Sequence, residues 1–218
     1  MYLVNKEKIN QSLSAKIVDA RVAQVFNTFR DVLVTSSFGT TSAVILHLIS
    51  RIKPECPIYF IDTGYHFEET IDYKERMTRL LGLNVITLQP DPQKHRQTKD
   101  RQLWGQDPDR CCNVNKVQPL APIKNQYKVW MSGLIGFQNP NRSNLQIVDD
   151  EQGLIKFYPL IDWNTALVEE YLESHGLPQH PLKEEGYGSV GCTHCTVPAD
   201  GRDGRWTDLS KTECGLHK

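Results

Sequence analysis

Cys111 and Cys112 are adjacent, and Cys192-Thr193-His194-Cys195 follows eighty residues after Cys112. Four thiolates in that pattern suit zinc or an iron–sulfur cluster. Neighbouring sulfurs reach one small zinc ion awkwardly, whereas a 4Fe–4S cube presents separate irons to them. A thioredoxin-like Cys-x-x-Cys is a further reading, but that motif opens a helix near the chain start, and this one lies late in a glycine-rich stretch. Cys214, in Glu213-Cys214-Gly215-Leu216-His217, stands apart near the end of the chain. A thiol of ordinary pKa, about 8.5, is only about 3% ionised at neutral pH, so a reactive one needs cationic neighbours. His217 supplies one if the tail is helical, and Glu213 opposes it. Cys56, between Pro54 and Pro57, reads as a structural thiol.

A second candidate centre is Ser36-Ser37-Phe38-Gly39-Thr40-Thr41. Such a run offers backbone N–H groups, hydroxyls and a helix N-terminus to an anion. The plain alternative is a strand-to-helix turn capped by Ser and Thr.

These groups need a scaffold. Apolar spacing from Ile9 to Phe29 predicts a helix. Asp31–Thr35, Pro57–Ile61 and Asn84–Leu88 read as strands, as do Lys128–Ser132 and, more weakly marked, Ile155–Pro159. Helices are expected over Ser42–Ile52, over Phe67–Leu81 with Gly82 past its end, and over Thr165–His175 closed by Gly176. Strands alternating with helices predict an α/β fold with a parallel sheet, which binds ligands beyond the carboxyl ends of its strands. Asp62-Thr63-Gly64 lies at one such end. A main domain over 1–200 and a mobile functional tail over 201–218 are expected.

The chain has 218 residues, 39% of them hydrophobic, enough for a sizeable core. Its 25 Lys and Arg nearly balance 26 Asp and Glu, which argues against a nucleic-acid partner. Ala43–Ile49, the longest apolar run, is broken by His47 and too short to span a bilayer. The first ten residues are polar, so no secretory signal and a cytoplasmic location are expected.

The loop at 36–42 resembles a PP-loop of the adenine-nucleotide alpha-hydrolase-like enzymes. It departs from the pyrophosphatase form, with Ser37-Phe38 in place of paired glycines and no acidic residue. That departure favours a nucleotide bearing a single phosphate. Asp62-Thr63-Gly64-Tyr65 resembles the next nucleotide-side motif of the group. Together with the cysteine quartet and Glu-Cys-Gly-Leu-His, the stretch from Val32 to His217 resembles the sulfonucleotide reductases of assimilatory sulfate reduction.

The resemblance implies a PP-loop fold and a 4Fe–4S cluster on Cys111, Cys112, Cys192 and Cys195. It implies reduction of adenylyl sulfate (APS) to sulfite and AMP, with the 3′-phosphorylated nucleotide (PAPS) as the alternative substrate. Cys214 would be the nucleophile, aided by His217, and thioredoxin or glutaredoxin the external dithiol. Ser36, Ser37, Phe38, Gly39, Thr40, Asp62, Thr63 and Gly64 would bind nucleotide. Lys116, Arg142, Arg202 and Arg205 would bind the phosphosulfate. One departure stands out. Gly133-Leu134-Ile135-Gly136-Phe137-Gln138-Asn139 replaces the family's Gly-x-Arg-Arg-x-Gln-Ser, so two cations are missing. A zinc-binding, ATP-dependent PP-loop enzyme acting on RNA and a non-catalytic nucleotide sensor are the rival readings. No membrane partner is expected, and a homo-oligomer is left open.

Overall fold

The computed structural model describes residues 6–151, 153–207, 209 and 211–216. Its centre is a six-stranded sheet of β1 (Val32–Thr35), β2 (Pro57–Ile61), β3 (Asn84–Leu88), β4 (Val129–Ser132), β5 (Val148–Glu151) and β6 (Leu154–Phe157). The strand order is β3-β2-β1-β4-β6-β5; all are parallel except β5, which pairs antiparallel with β6 at the edge.

Helices cover both faces, so β1 and β4 read as continuous apolar runs. On one face Val32 and Val34 of β1, Phe60 of β2 and Met131 of β4 join the main core. Alternation sends Leu33, Tyr59 and Trp130 to the other face, into a smaller cluster with Leu120. The helix α3 (Ser42–Ile52) buries Ala43, Val44, Ile45, Leu46, Leu48 and Ile49 against the main core. The helix α4 (Glu68–Leu81) opens with Glu68 and Glu69, which its dipole favours, and is stopped by Gly82 in the left-handed conformation.

The N-terminal rhythm resolves into two helices, α1 (Lys6–Ser14) and α2 (Val18–Thr28). Buried Arg21 explains the break. Its Nε donates to the carbonyls of Leu13 and Lys16 and its Nη2 to that of Ser14, collecting the open end of α1. Its guanidinium also grips Asp162 and the Pro159 carbonyl, which ties both helices to the chain beyond β6.

The segment between β3 and β4, for which periodicity set no expectation, folds as α5 (Pro92–Asp100), α6 (Leu103–Gln106), α7 (Pro108–Cys112) and α8 (Gln118–Lys124). Asp91 and Asp107 cap α5 and α7, each with proline at the first turn. Residues Asn113–Val117 form a π-helical turn between α7 and α8. Two further helices follow, α9 (Pro140–Ser143) and α10 (Thr165–Ser174). Among the described residues no helix is long and apolar enough to cross a membrane.

Replacing Arg21 by Ala should cost about 3–5 kcal/mol, because buried carbonyls lose their donor. Urea unfolding should show a lower midpoint at unchanged slope. A loss below about 1 kcal/mol would mean that α1 is not held through this residue.

Candidate active site

A cleft opens beyond the carboxyl ends of β1, β2 and β4, where parallel sheets bind ligands. The chain leaves β1 at Thr35 and turns sharply, with Phe38 at a φ of 50°. The Phe38 ring is fully buried and meets Phe60 edge-on at 5.6 Å. Phe38 therefore does not line the cleft, contrary to expectation: its ring anchors the loop to the core, and the burial offsets the strained backbone. Ser36, Ser37, Gly39, Thr40, Thr41 and Ser42 do line it. The Ser36 hydroxyl accepts the Phe38 N–H, and the Thr40 hydroxyl donates to the Gly188 carbonyl, tying the loop to the C-terminal segment.

Asp62, Thr63 and Gly64 also lie outside this lining. The Asp62 carboxylate accepts the Gly64 N–H and shapes a local turn. Buried Thr63 turns its hydroxyl to Cys192 Sγ at 3.4 Å. The next residue, Tyr65, borders a second, smaller cavity.

That cavity is lined by Cys111, Cys112, Cys192 and Cys195. The first pair ends α7, and the second lies on a loop beyond α10. Asn115, buried in the π-helical turn, donates to the Cys111 carbonyl and pairs with His95, which fixes the turn. His194 stacks on Trp104 at 3.9 Å at the cavity's edge. Burial pushes the Cys111 thiol up to about 12, with Cys112 and Cys192 adding to it. Burial also lifts Cys112 to about 11 and raises Cys195. Burial opposes the Cys192 thiolate too, but Lys116, the Thr63 hydroxyl and Arg205 outweigh it and lower its pKa. Among the described residues no trio of His, Cys, Asp and Glu is grouped to hold one metal ion.

Lys116 lies on the π-helical turn and borders both cavities. Burial works against its charge, yet the sulfurs of Cys192, Cys214 and Cys112 outweigh it and hold the ammonium above the usual lysine range. Arg205 lies over the Trp206 ring at 4.6 Å and donates to the Val190 carbonyl. A Cβ at Gly191 would sit 2.1 Å from its Nη2, so only glycine admits the guanidinium there. Burial and the nearby Arg142 lower Arg202 to about 10. The Nε atoms of Arg202 and Arg205 are buried without a hydrogen-bond partner among the described residues, which leaves donors for an anion.

The fourth cation differs. Arg142 Nε and Nη2 donate to Glu213 at 2.5 and 3.0 Å, and Nη1 donates to Gln138. Burial works against the Glu213 charge, but Arg142 and Arg202 hold its carboxyl below the usual range. Cys214 borders the cleft one residue on, and Leu216 packs against the smaller core cluster. His217 lies outside the described residues.

The missing basic pair has a steric reason. Ile135 is fully buried in the main core, and a Cβ at Gly136 would sit 2.7 Å from the Ile161 carbonyl oxygen. Sequence reasoning missed Glu213 as an ion-pair partner and Gly191, Ser132 and His66 as neighbours of the cleft. The Gly191 position was readable only as part of a glycine-rich stretch.

Hydroxyls, N–H donors, cations and one thiol at the carboxyl ends of parallel strands define a nucleotide-binding α/β protein of the PP-loop class. Residues 31–198 match the phosphoadenosine phosphosulfate reductase domain, and the chain belongs to this sulfonucleotide reductase family. It is 38% identical to the adenosine 5′-phosphosulfate reductase of Halalkalibacterium halodurans, over 99% of this chain and 97% of the relative. Its fold is similar to that of a phosphoadenylyl-sulfate reductase from Candida auris, solved as a phosphate complex. The TM-score is 0.77 at 26% identity, over 88% of this chain and 95% of that one. The FMN adenylyltransferase of Candida glabrata shares the fold alone, with a TM-score of 0.60 at 16% identity over 88% and 66% of the two chains.

Restoring a family cation with Gly136→Arg should destabilise the protein by more than about 2 kcal/mol, since the backbone at Ile161 must move. Thermal unfolding checks this. An unchanged melting temperature would show that the segment yields easily.

Proposed function

We propose that this chain reduces adenylyl sulfate to sulfite and AMP, with Cys214 as the nucleophile, as a step of sulfate assimilation. One observation carries the reading: Cys214, the hydroxyl-rich loop and the cations Lys116, Arg202 and Arg205 border one cleft. The loop and the α3 N-terminus suit the AMP phosphate. The buried arginine donors suit the sulfo group and the charge that develops on the phosphate oxygen as AMP leaves.

Charge balance favours the substrate without a 3′-phosphate. The cleft's charged residues are Lys116, Arg142, Arg202, Arg205 and Glu213, a net of +3 among the described residues. Dianionic phosphosulfate and the Cys214 thiolate would balance that charge. A 3′-phosphate would be left without a counter-charge. The family relative named above as an adenosine 5′-phosphosulfate reductase agrees.

Cys214 thiolate attacks the sulfur of the sulfo group. The S–O bond to phosphate breaks, AMP leaves with that electron pair, and Cys–S–SO₃⁻ remains. A thiolate of an external dithiol then attacks Cys214 Sγ and releases sulfite. The dithiol's second sulfur resolves the mixed disulfide and restores Cys214. The dithiol thus supplies both electrons. It must come from outside, because Cys56 is buried with its thiol pushed up to about 11 and lies off the cleft. Thioredoxin or glutaredoxin fits this role, and a reducing cytoplasm suits it.

The four cysteines fit an iron–sulfur group. They share one cavity, and their burial disfavours bare thiolates unless a cationic group neutralises them. A 4Fe–4S cluster on Cys111, Cys112, Cys192 and Cys195 would fix α7 to the loop at 192–195 and set the charge beside Lys116. Anaerobically purified protein should be brown, with near-stoichiometric iron and sulfide. Colourless protein with one zinc would overturn this assignment, and Cys192→Ser should lose the iron.

Lys116→Ala, Arg202→Ala and Arg205→Ala should each lower kcat/KM by about 2–4 kcal/mol of transition-state stabilisation. Wild-type kinetics in all three would remove them from the reaction. Cys214→Ser should bind nucleotide but not turn over. Wild type given substrate without dithiol should stop after one turnover with an added SO₃ on Cys214. Mass spectrometry of the intact protein and its peptides reads this, and an adduct on another cysteine would displace Cys214 as nucleophile.

A further inference from the structure

The residues just before Cys214 are held by one short stretch of the main body. Asn139 Nδ2 donates to the Thr212 carbonyl at 3.1 Å and to Glu213 Oε1 at 3.4 Å. Asn141 Nδ2 donates to the Thr212 hydroxyl at 2.8 Å. Arg142 grips both Glu213 oxygens, and Arg202 Nη2 reaches the Thr212 carbonyl and Glu213 Oε2 from the other side. Arg142 and Glu213 are 8% and 7% exposed, so the pair is shielded from solvent. Every guanidinium nitrogen of Arg142 already bonds to Glu213 or Gln138. Arg202 and Arg205 each keep a buried Nε without a partner among the described residues. Cys214 follows Glu213 directly, and adjacent Cα atoms are about 3.8 Å apart. Fixing Glu213 therefore fixes where the thiol stands.

We propose that Asn139, Asn141 and Arg142 form a latch for residues 212–213, and that Arg142 positions Cys214 through Glu213 instead of binding the phosphosulfate. This rests on the reading of Cys214 as nucleophile. The latch makes a chemical division among the cations. Arg142 is neutralised by Glu213 and serves the tail. Lys116, Arg202 and Arg205 face the dianionic substrate, with Arg202 touching both. Glu213 then does not disfavour the neighbouring thiolate as an unpaired carboxylate would.

The test uses full-length, cluster-loaded protein and three measurements. The first is the rate of Cys214 alkylation by iodoacetamide without nucleotide, read by peptide mass spectrometry. The second is adenylyl sulfate affinity on a Cys214→Ser background, which cannot react. The third is steady-state turnover with saturating dithiol. Glu213→Gln and Arg142→Gln should each lower kcat on the order of 100-fold, as a misplaced reacting group does. The double variant should be no slower than either single one, because both changes break one interaction. Substrate affinity should stay within about twofold of the background in each. Alkylation of Cys214 should quicken roughly tenfold in both. Asn141→Ala, at an exposed position and with the buried pair intact, should quicken it by a smaller factor and guards against loss of fold.

The latch is overturned if Arg142→Gln weakens adenylyl sulfate binding as Arg205→Gln does, if the two losses in kcat multiply, or if alkylation rates do not move. Failure of the wild type to reduce adenylyl sulfate would instead remove the proposed activity. The alkylation rates would still judge the latch.

Discussion

Lys116 stands buried between two cavities, where the neighbouring sulfurs of Cys192, Cys214 and Cys112 outweigh burial and favour its charged form. Desolvating a lone cation costs several kcal/mol, so the charge and the cysteines have to be built together. The π-helical turn at 113–117 makes that possible. It inserts a wider loop of helix after α7, buries Asn115 as its brace, and lets Lys116 border the cleft as well as the cavity that Cys112 lines. Turns of this kind are rare and recur at functional sites. On the cleft side its charge adds to those of Arg202 and Arg205.

The C-terminal segment answers the same constraint with backbone packing. A Cβ at Gly188 would meet the Gly201 nitrogen at 2.4 Å, and one at Gly204 would meet the Val197 carbonyl oxygen at 2.0 Å. These glycines let strands of loop lie directly on one another. Their role here is close approach, which a glycine-rich composition also signals when read only as flexibility. The stacking carries Arg202 and Arg205 inward to the cleft. Two guanidinium groups so close repel each other, and the Glu213 carboxylate relieves that repulsion.

Much of the scaffold was legible because buried parallel strands are short apolar runs between turn residues. The spans Ser42–Ile52, Pro57–Ile61 and Asn84–Leu88 stand in the structure as read. The edge strand β5 was hidden, since Val-Asp-Asp-Glu shows no apolar alternation and is ordered by its hairpin to β6. The helices α5 to α8 were hidden by proline and charge, although Asp91-Pro92 and Asp107-Pro108 are capping signals. Phe38 misled because a residue's place in a motif does not say which way its ring points. Glu213 misled because a charge beside a thiol looks hostile until its partners, 71 and 11 residues away, are known. Long-range ion pairs have no periodicity to betray them.

The two cavities are joined by more than Lys116. The Cys195 carbonyl accepts the Trp206 N–H, and Thr196 pairs with Arg205 as an antiparallel bridge. The loop that carries Arg202 and Arg205 therefore hangs from the second cysteine pair. Across the small cavity that pair faces Cys111 and Cys112 of α7 on the far wall. The chain brings these walls together from segments eighty residues apart, with the ordering entropy that such closure costs. Any group that bonded both pairs would offset that cost and fix the arginine loop at the same moment. Bonded in this way, the cysteine quartet would shape the cleft from outside, by deciding where two buried guanidinium groups come to rest.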